Sequence, residues 1–234
     1  MNDLQVIEQE KSVLRWGGLA GLLGGIIFLL AFVVAIAGPV GMEDPATLEE
    51  WVMRFPNIQA ARVVENVLYL VGLILGVPLF LALYRALRKT SLAPALFGSV
   101  LGIVGLIPMM ASSNPHVAHA PLSELYHAPG ATLADQATLA LLWQAIWSMI
   151  DMITYVGFFI VPIGFIVLGV GMLGSPAFGK GFGGVSMALG VVGFIAAVFQ
   201  IADPASMIGV GSYFAIIIFF LVLGWKVYNL SRSA

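Results

Sequence analysis

Long runs of apolar residues, broken by short polar segments, govern this chain. They fall at about 16–38, 62–85, 94–113, 133–173, 182–201 and 207–228. Runs of about 20 apolar residues with few charges are the signature of membrane-crossing helices, because lipid offers no partner to a backbone N–H or C=O and a helix satisfies these groups internally. A membrane β-barrel would show short alternating segments instead. The pattern predicts an all-α membrane protein: a polytopic bundle of six transmembrane helices in a single domain over residues 1–234. The run from Trp16 to Ala37 is too long for the apolar part of a signal peptide, so a retained first span is expected.

The fourth run opens on a capping-box pattern, Thr132-Leu133-Ala134-Asp135, and shows no turn before Leu173. One helix of that length is roughly 60 Å long, about twice the hydrocarbon thickness. Its first half is apolar nearly all round (Leu139, Leu141, Leu142, Trp143, Ile146, Trp147) and cannot stand bare in water. The segments 39–61 and 114–132 are the available cover. Within the first, Asp44-Pro45 reads as a helix start and Phe55-Pro56 as a stop. Between them Leu48, Trp51, Val52 and Phe55 recur at helical spacing, so a short amphipathic surface helix is expected. In the second, Pro115, Pro121 and Pro129 argue against a regular helix. Pro78, Pro108 and Pro162 should kink their spans. Gly17, Gly21 and Gly25, Gly98 and Gly102, and Gly184 with Ala188 form small-xxx-small patterns suited to close helix packing.

Charge orients the bundle. With the N-terminus inside, Lys11, Arg15, Arg85, Arg88, Lys89, Lys180, Lys226 and Arg232 are cytoplasmic, leaving only Arg54 and Arg62 outside. Nine of the twelve acidic residues then lie outside, so that side sums to −7 and the inner side to +5. An N-in, C-in protein of the cell membrane with an acidic extracytoplasmic cap is the expectation. Trp16, Tyr84, Trp225 and Tyr228 would mark the inner interface, and Trp51, Tyr126, Trp143 and Trp147 the outer one.

Composition narrows the chemistry. Hydrophobic residues make up 60% of the chain and charged ones 9%, against roughly a quarter charged in soluble domains. With no cysteine, disulfides, iron–sulfur clusters and thiolate zinc sites are excluded. A net charge of −2 gives no reason to expect a nucleic-acid partner; the lipid bilayer, and other membrane subunits, are the partners to consider. No GxSxG, HExxH, Walker A or GxGxxG motif is present, so hydrolytic, zinc-protease and nucleotide-driven readings have no support and a non-enzymatic role is favoured.

Two groups of residues carry candidate chemistry. Gln144, Ser148, Asp151 and Tyr155 form a polar stripe along the fourth helix; with Arg62, Glu65 and Gln200 near the same boundary, they could enclose an outward-facing pocket for an ion or small polar ligand. The same groups could equally form an Arg62–carboxylate pair and interhelical hydrogen bonds that hold the bundle. The second group is His116, His119, Glu124 and His127, whose imidazoles and carboxylate are the ligand types a divalent metal takes when thiolates are missing. The alternative is a proline-rich cap whose histidines face water or loop backbone. These features leave three readings open: a binding or accessory subunit acting through its outer face, a small-solute or ion-coupled permease, and an extracytoplasmic metal site.

An internal correspondence also emerges. Tyr69-Leu70-Val71-Gly72, Pro78 and Phe97-Gly98-Ser99-Val100 have counterparts in Tyr155-Val156-Gly157, Pro162 and Phe182-Gly183-Gly184-Val185, as in a parallel repeat. Phe158-Phe159-Ile160-Val161-Pro162-Ile163-Gly164-Phe165, followed by Ser175-Pro176-Ala177-Phe178 and Phe182-Gly183-Gly184-Val185, resembles a pattern in a family of small bacterial and archaeal six-span membrane proteins of unknown function. Leu83-Tyr84-Arg85-Ala86-Leu87-Arg88 is similar to it too. The resemblance implies six spans and adds no catalytic residue.

Overall fold

The computed structural model describes residues 3–37, 47–203 and 206–233. Among these residues seven α-helices follow one another: α1 (Asp3–Ala37), α2 (Leu48–Leu87), α3 (Leu92–Ala111), α4 (His116–Tyr126), α5 (Leu133–Leu173), α6 (Gly179–Ala202) and α7 (Val210–Ser233), the last entered through a 3-10 turn at Met207–Gly209. No strand occurs among the described residues. Among the described residues, six helices are long and apolar enough to cross a membrane. At 11 residues, or about 16 Å, α4 by itself is too short to do so. The chain is therefore an integral, multi-pass membrane protein.

The spans close into a ring. Helix α1 packs between α2 and α7, α3 between α2 and α5, and α6 between α5 and α7. Phenylalanines fill the middle: the Phe165 and Phe219 rings stack 3.7 Å apart and within 6° of parallel, with Phe80 beside both. Large apolar side chains also point outward, among them Leu23, Ile26 and Leu30 of α1, Val100, Val104 and Ile107 of α3, and Val191, Val192 and Ile195 of α6. In water such a surface would drive aggregation; in a bilayer it is the lipid contact.

Glycine lets the backbones approach. A Cβ on Gly164 would stand 2.8 Å from the Gly102 nitrogen and 2.9 Å from the Gly98 carbonyl oxygen, so α3 and α5 touch main chain to main chain. At Gly224 a Cβ would lie 2.6 Å from the Leu22 nitrogen, which sets the same close contact between α7 and α1.

Two sequence expectations fail at prolines. Phe55-Pro56 does not end a helix: α2 runs 40 residues without interruption, with Pro56 and Pro78 inside it. The amphipathic segment is thus the first turns of the second span rather than a separate surface helix. Its N-cap is Thr47, whose hydroxyl accepts the Glu50 N–H at 3.3 Å; the Asp44-Pro45 start lies outside the described residues. Interior proline costs about 3 kcal/mol. Here the buried Val52, Phe55 and Ile58 on either side of Pro56 offset that cost by packing against α4 and α5. The segment around Pro115 and Pro121 is helical as well. Pro115 occupies the N-cap of α4, where a missing N–H leaves no bond unmade, and Pro121 lies inside the helix.

Helix α5 spans 41 residues, and its capping box is formed: Asp135 N–H donates to the Thr132 hydroxyl at 3.2 Å, and Thr132 N–H to the Asp135 carboxylate at 3.0 Å. The first turns of α2, together with α4, cover one face of its first half, burying Ala140 and Trp143, while Leu141 and Leu142 on the other face stay exposed. Val52, Phe55, Ile58, Tyr126, Ala140 and Trp143 make a small core of their own, separate from the core of the spans. At the other end of the bundle, Glu10 of α1 is ion-paired with Arg85, and with Arg88 and Lys89 at 3.5 Å each.

Candidate functional site

Polar groups gather where the cap core meets the bundle, and α2 supplies the first of them. Arg62 and Glu65, one turn apart, form an ion pair at 3.0 Å. Asn66 follows on the same face, only 7% exposed, with its amide nitrogen 2.9 Å from His116 Nδ1. That bond ties α4 to α2. One turn further, the Tyr69 hydroxyl is buried and has no hydrogen-bond partner among the described residues.

The facing wall comes from α3, α5 and α7. The hydroxyls of Ser112 and Ser113 fold back onto the carbonyls of Met109 and Met110, and Thr154 Oγ1 lies 2.7 Å from Ser112 Oγ. Trp147, Ile150, Asp151 and Thr154 of α5 and Tyr213 of α7 complete a cavity of about 150 Å³ with Arg62, Glu65, Asn66 and Tyr69. The Arg62 guanidinium sits over the Trp147 ring, 5.8 Å from its centroid. Asp151 is hydrogen-bonded to Trp147 and forms no ion pair among the described residues. Since Arg62 is engaged by Glu65, Asp151 is left as the uncompensated carboxylate of the site. The rings of Phe28, Tyr69, Tyr213 and Phe158 pack together toward the bundle centre, with centroids 4.8 Å apart for Phe28–Tyr69 and 4.5 Å for Phe158–Tyr213. They form an aromatic floor to the polar space.

A second, larger cavity opens beside the first. It occupies about 690 Å³ along α5, lined by Ser148, Asp151, Met152, Tyr155, Val156, Phe159 and Ile160 of that helix and by Ile201 from the last turn of α6. Asp151 lines both cavities. The candidate residues read from the sequence are thus divided rather than gathered into one pocket. Arg62, Glu65 and Asp151 face the smaller space; Ser148, Asp151 and Tyr155 face the larger. Gln200 is hydrogen-bonded to Tyr155, and Gln144 is exposed and lines neither cavity.

Comparison with protein families, with curated proteins and with solved structures found no match. The six-span family resemblance accordingly rests on sequence pattern alone, and the geometry carries the functional argument.

The histidines diverge. His116 bonds Asn66; His119, 1% exposed, stacks on Trp143 at 4.0 Å and Trp147 at 5.4 Å; His127 Nδ1 lies 2.7 Å from the Ser123 carbonyl oxygen; and Glu124 is exposed. Among the described residues no three His, Asp or Glu side chains are grouped as metal ligands.

Asn66, Tyr69, Ser112, Ser113, Thr154 and Tyr213 belong to the smaller cavity and were not singled out from the sequence. Asn66 and Tyr69 carried a readable signal, because they follow Arg62 at i+4 and i+7 on one helix face. Tyr213 carried none, since nothing in a run of apolar residues says which side of α7 faces α2.

Proposed function

We propose that this chain is a membrane binding protein whose cavity at the cap end takes a small cationic ligand, with Asp151 as its counter-ion. The single observation behind this reading is that Asp151 lines both cavities while Arg62, the cation lining the smaller one, is already held by Glu65. An ammonium group would find a carboxylate there, a Tyr69 hydroxyl with no hydrogen-bond partner among the described residues to act as acceptor, and low-dielectric walls that strengthen both contacts. The cap is taken to be extracytoplasmic and both termini cytoplasmic, in the cell membrane, on the separation of basic from acidic residues. Binding at the outer face is compatible with service as a subunit of a larger membrane complex.

Calorimetry on protein in lipid nanodiscs, with ethanolamine as the probe, tests the reading: saturable binding is expected, weakened at least about tenfold in Asp151→Asn, since a lost charged contact costs roughly 1.5–3 kcal/mol. Equal binding by both proteins, or none by either, would overturn it.

A carrier is the second reading. Pro78 and Pro162 each remove a backbone hydrogen bond from the two long helices on the far side of the aromatic floor, where a moving gate would bend. Asp151-dependent uptake of labelled ethanolamine into proteoliposomes would favour carriage; binding without uptake would leave the binding role alone.

A further inference from the structure

We infer that the ligand is amphiphilic: a lipid with an ammonium headgroup whose hydrocarbon chain enters the groove along α5 while its head reaches Asp151. The inference rests on the binding role of Asp151 proposed above and names the ligand class. Its basis is the shape and polarity of the larger cavity. Ser148, Asp151 and Tyr155 give the cap half of the lining its polar groups, with Met152 among them and Ile201 beside them, and Val156, Phe159 and Ile160 continue it as wholly apolar surface. From Ser148 to Ile160 the lining covers about 18 Å of helix. One leaflet of hydrocarbon is about 15 Å deep. Beyond Tyr155 the wholly apolar lining covers about 8 Å of helix, so the groove holds the first part of a single acyl chain and the rest of that chain lies in the bilayer.

The groove is open to that chain. Met152 is 63% exposed and Val156 and Ile201 about half exposed, so hydrocarbon can enter sideways from the bilayer without any helix moving. A soluble amine needs only the smaller cavity, and a space of about 690 Å³ lined mainly by apolar side chains would offer it nothing. Charge selects the head. Asp151 attracts an ammonium and repels a net-anionic headgroup, and a primary ammonium can donate hydrogen bonds where a trimethylated one cannot. In the groove a chain exchanges lipid contacts for protein contacts with little net gain, so the carboxylate supplies the selectivity and the groove decides which molecules present their heads to it.

Native mass spectrometry after gentle delipidation can read this directly, using phosphatidylethanolamine, phosphatidylcholine and phosphatidylglycerol with identical acyl chains. One phosphatidylethanolamine should be retained per chain, at an occupancy about tenfold above phosphatidylglycerol, for one charged contact of roughly 1.4 kcal/mol. Asp151→Asn should bring the lipids to parity. Val156→Trp, or Met152→Trp as a second groove-filling variant, should abolish retention yet leave ethanolamine binding intact, because both side chains already face lipid and the smaller cavity does not include them. If ethanolamine binds in an Asp151-dependent way while lipid retention shows no headgroup preference, or survives both groove variants, the amphiphile inference is overturned and the binding site stands. If ethanolamine binding is itself independent of Asp151, both fall together.

Discussion

The imidazole of His119 lies flat against the indole of Trp143, ring centroids 4.0 Å apart and planes 25° from parallel, and this stack joins α4 to the projecting half of α5. Phe55 of α2 meets Trp143 edge to face at 4.9 Å, so all three elements of the cap converge on one indole. Replacing His119 by Ala removes the stack and leaves a cavity, for a loss of roughly 2 kcal/mol. Trp143→Ala should cost more, about 3–5 kcal/mol. Limited proteolysis within 114–132 reads the effect: cleavage should accelerate in both variants, most in Trp143→Ala, while the spans stay protected. Unchanged cleavage would mean that the cap is held by something other than this core.

The α3–α5 contact predicts a contrast between two glycines. Gly164→Ala would press a methyl group onto backbone atoms of α3, which cannot rotate away, and should lower the melting temperature by several degrees. At Gly184 nothing lies within 4 Å of an added Cβ, so Gly184→Ala should leave stability unchanged or raise it by up to about 1 kcal/mol through helix propensity. Equal behaviour of the two variants in a thermal melt would contradict the packing described.

Pro56 offers a test of the continuous α2. The residue is exposed, and its ring interrupts one hydrogen bond between the cap portion and the span. If the helix is continuous, Pro56→Ala restores that bond and removes the ring's clash with the preceding turn, and should stabilise the protein by up to about 3 kcal/mol. Destabilisation would instead mark a break at this position.

The ion pairs of Glu10 should have small, salt-dependent effects. Its partners Arg85, Arg88 and Lys89 are all partly exposed, and such pairs contribute about 1 kcal/mol at most. Glu10→Gln is expected to lower stability within that range in dilute buffer, with the difference shrinking in concentrated salt. A loss that salt does not reduce would point to packing rather than charge at this end.

Much of the fold was legible from residue pattern. The apolar runs located six spans, and the capping box at Thr132 with unbroken apolar sequence to Leu173 defined α5. Prolines misled at Pro56 and Pro121, because a local rule states what a proline costs and not what neighbouring side chains return. The candidate site was half visible. Arg62, Glu65, Asp151 and Tyr155 stood out as polar residues in apolar helices, yet their division between two cavities was not readable.

By itself, then, the sequence determined that this protein lives in a membrane, how many times it crosses, and that a polar belt lies near one boundary, since all three follow from transferring side chains and backbone between water and lipid one segment at a time. Only the tertiary structure decided which polar groups meet. The rotation of each helix about its axis is set by contacts such as Gly164 on α3 and Phe165 on Phe219, and no single segment contains them. Those rotations bring Asn66 to His116, leave the Tyr69 hydroxyl without a hydrogen-bond partner among the described residues, and set Asp151 in the wall between a polar cavity and a groove open to lipid.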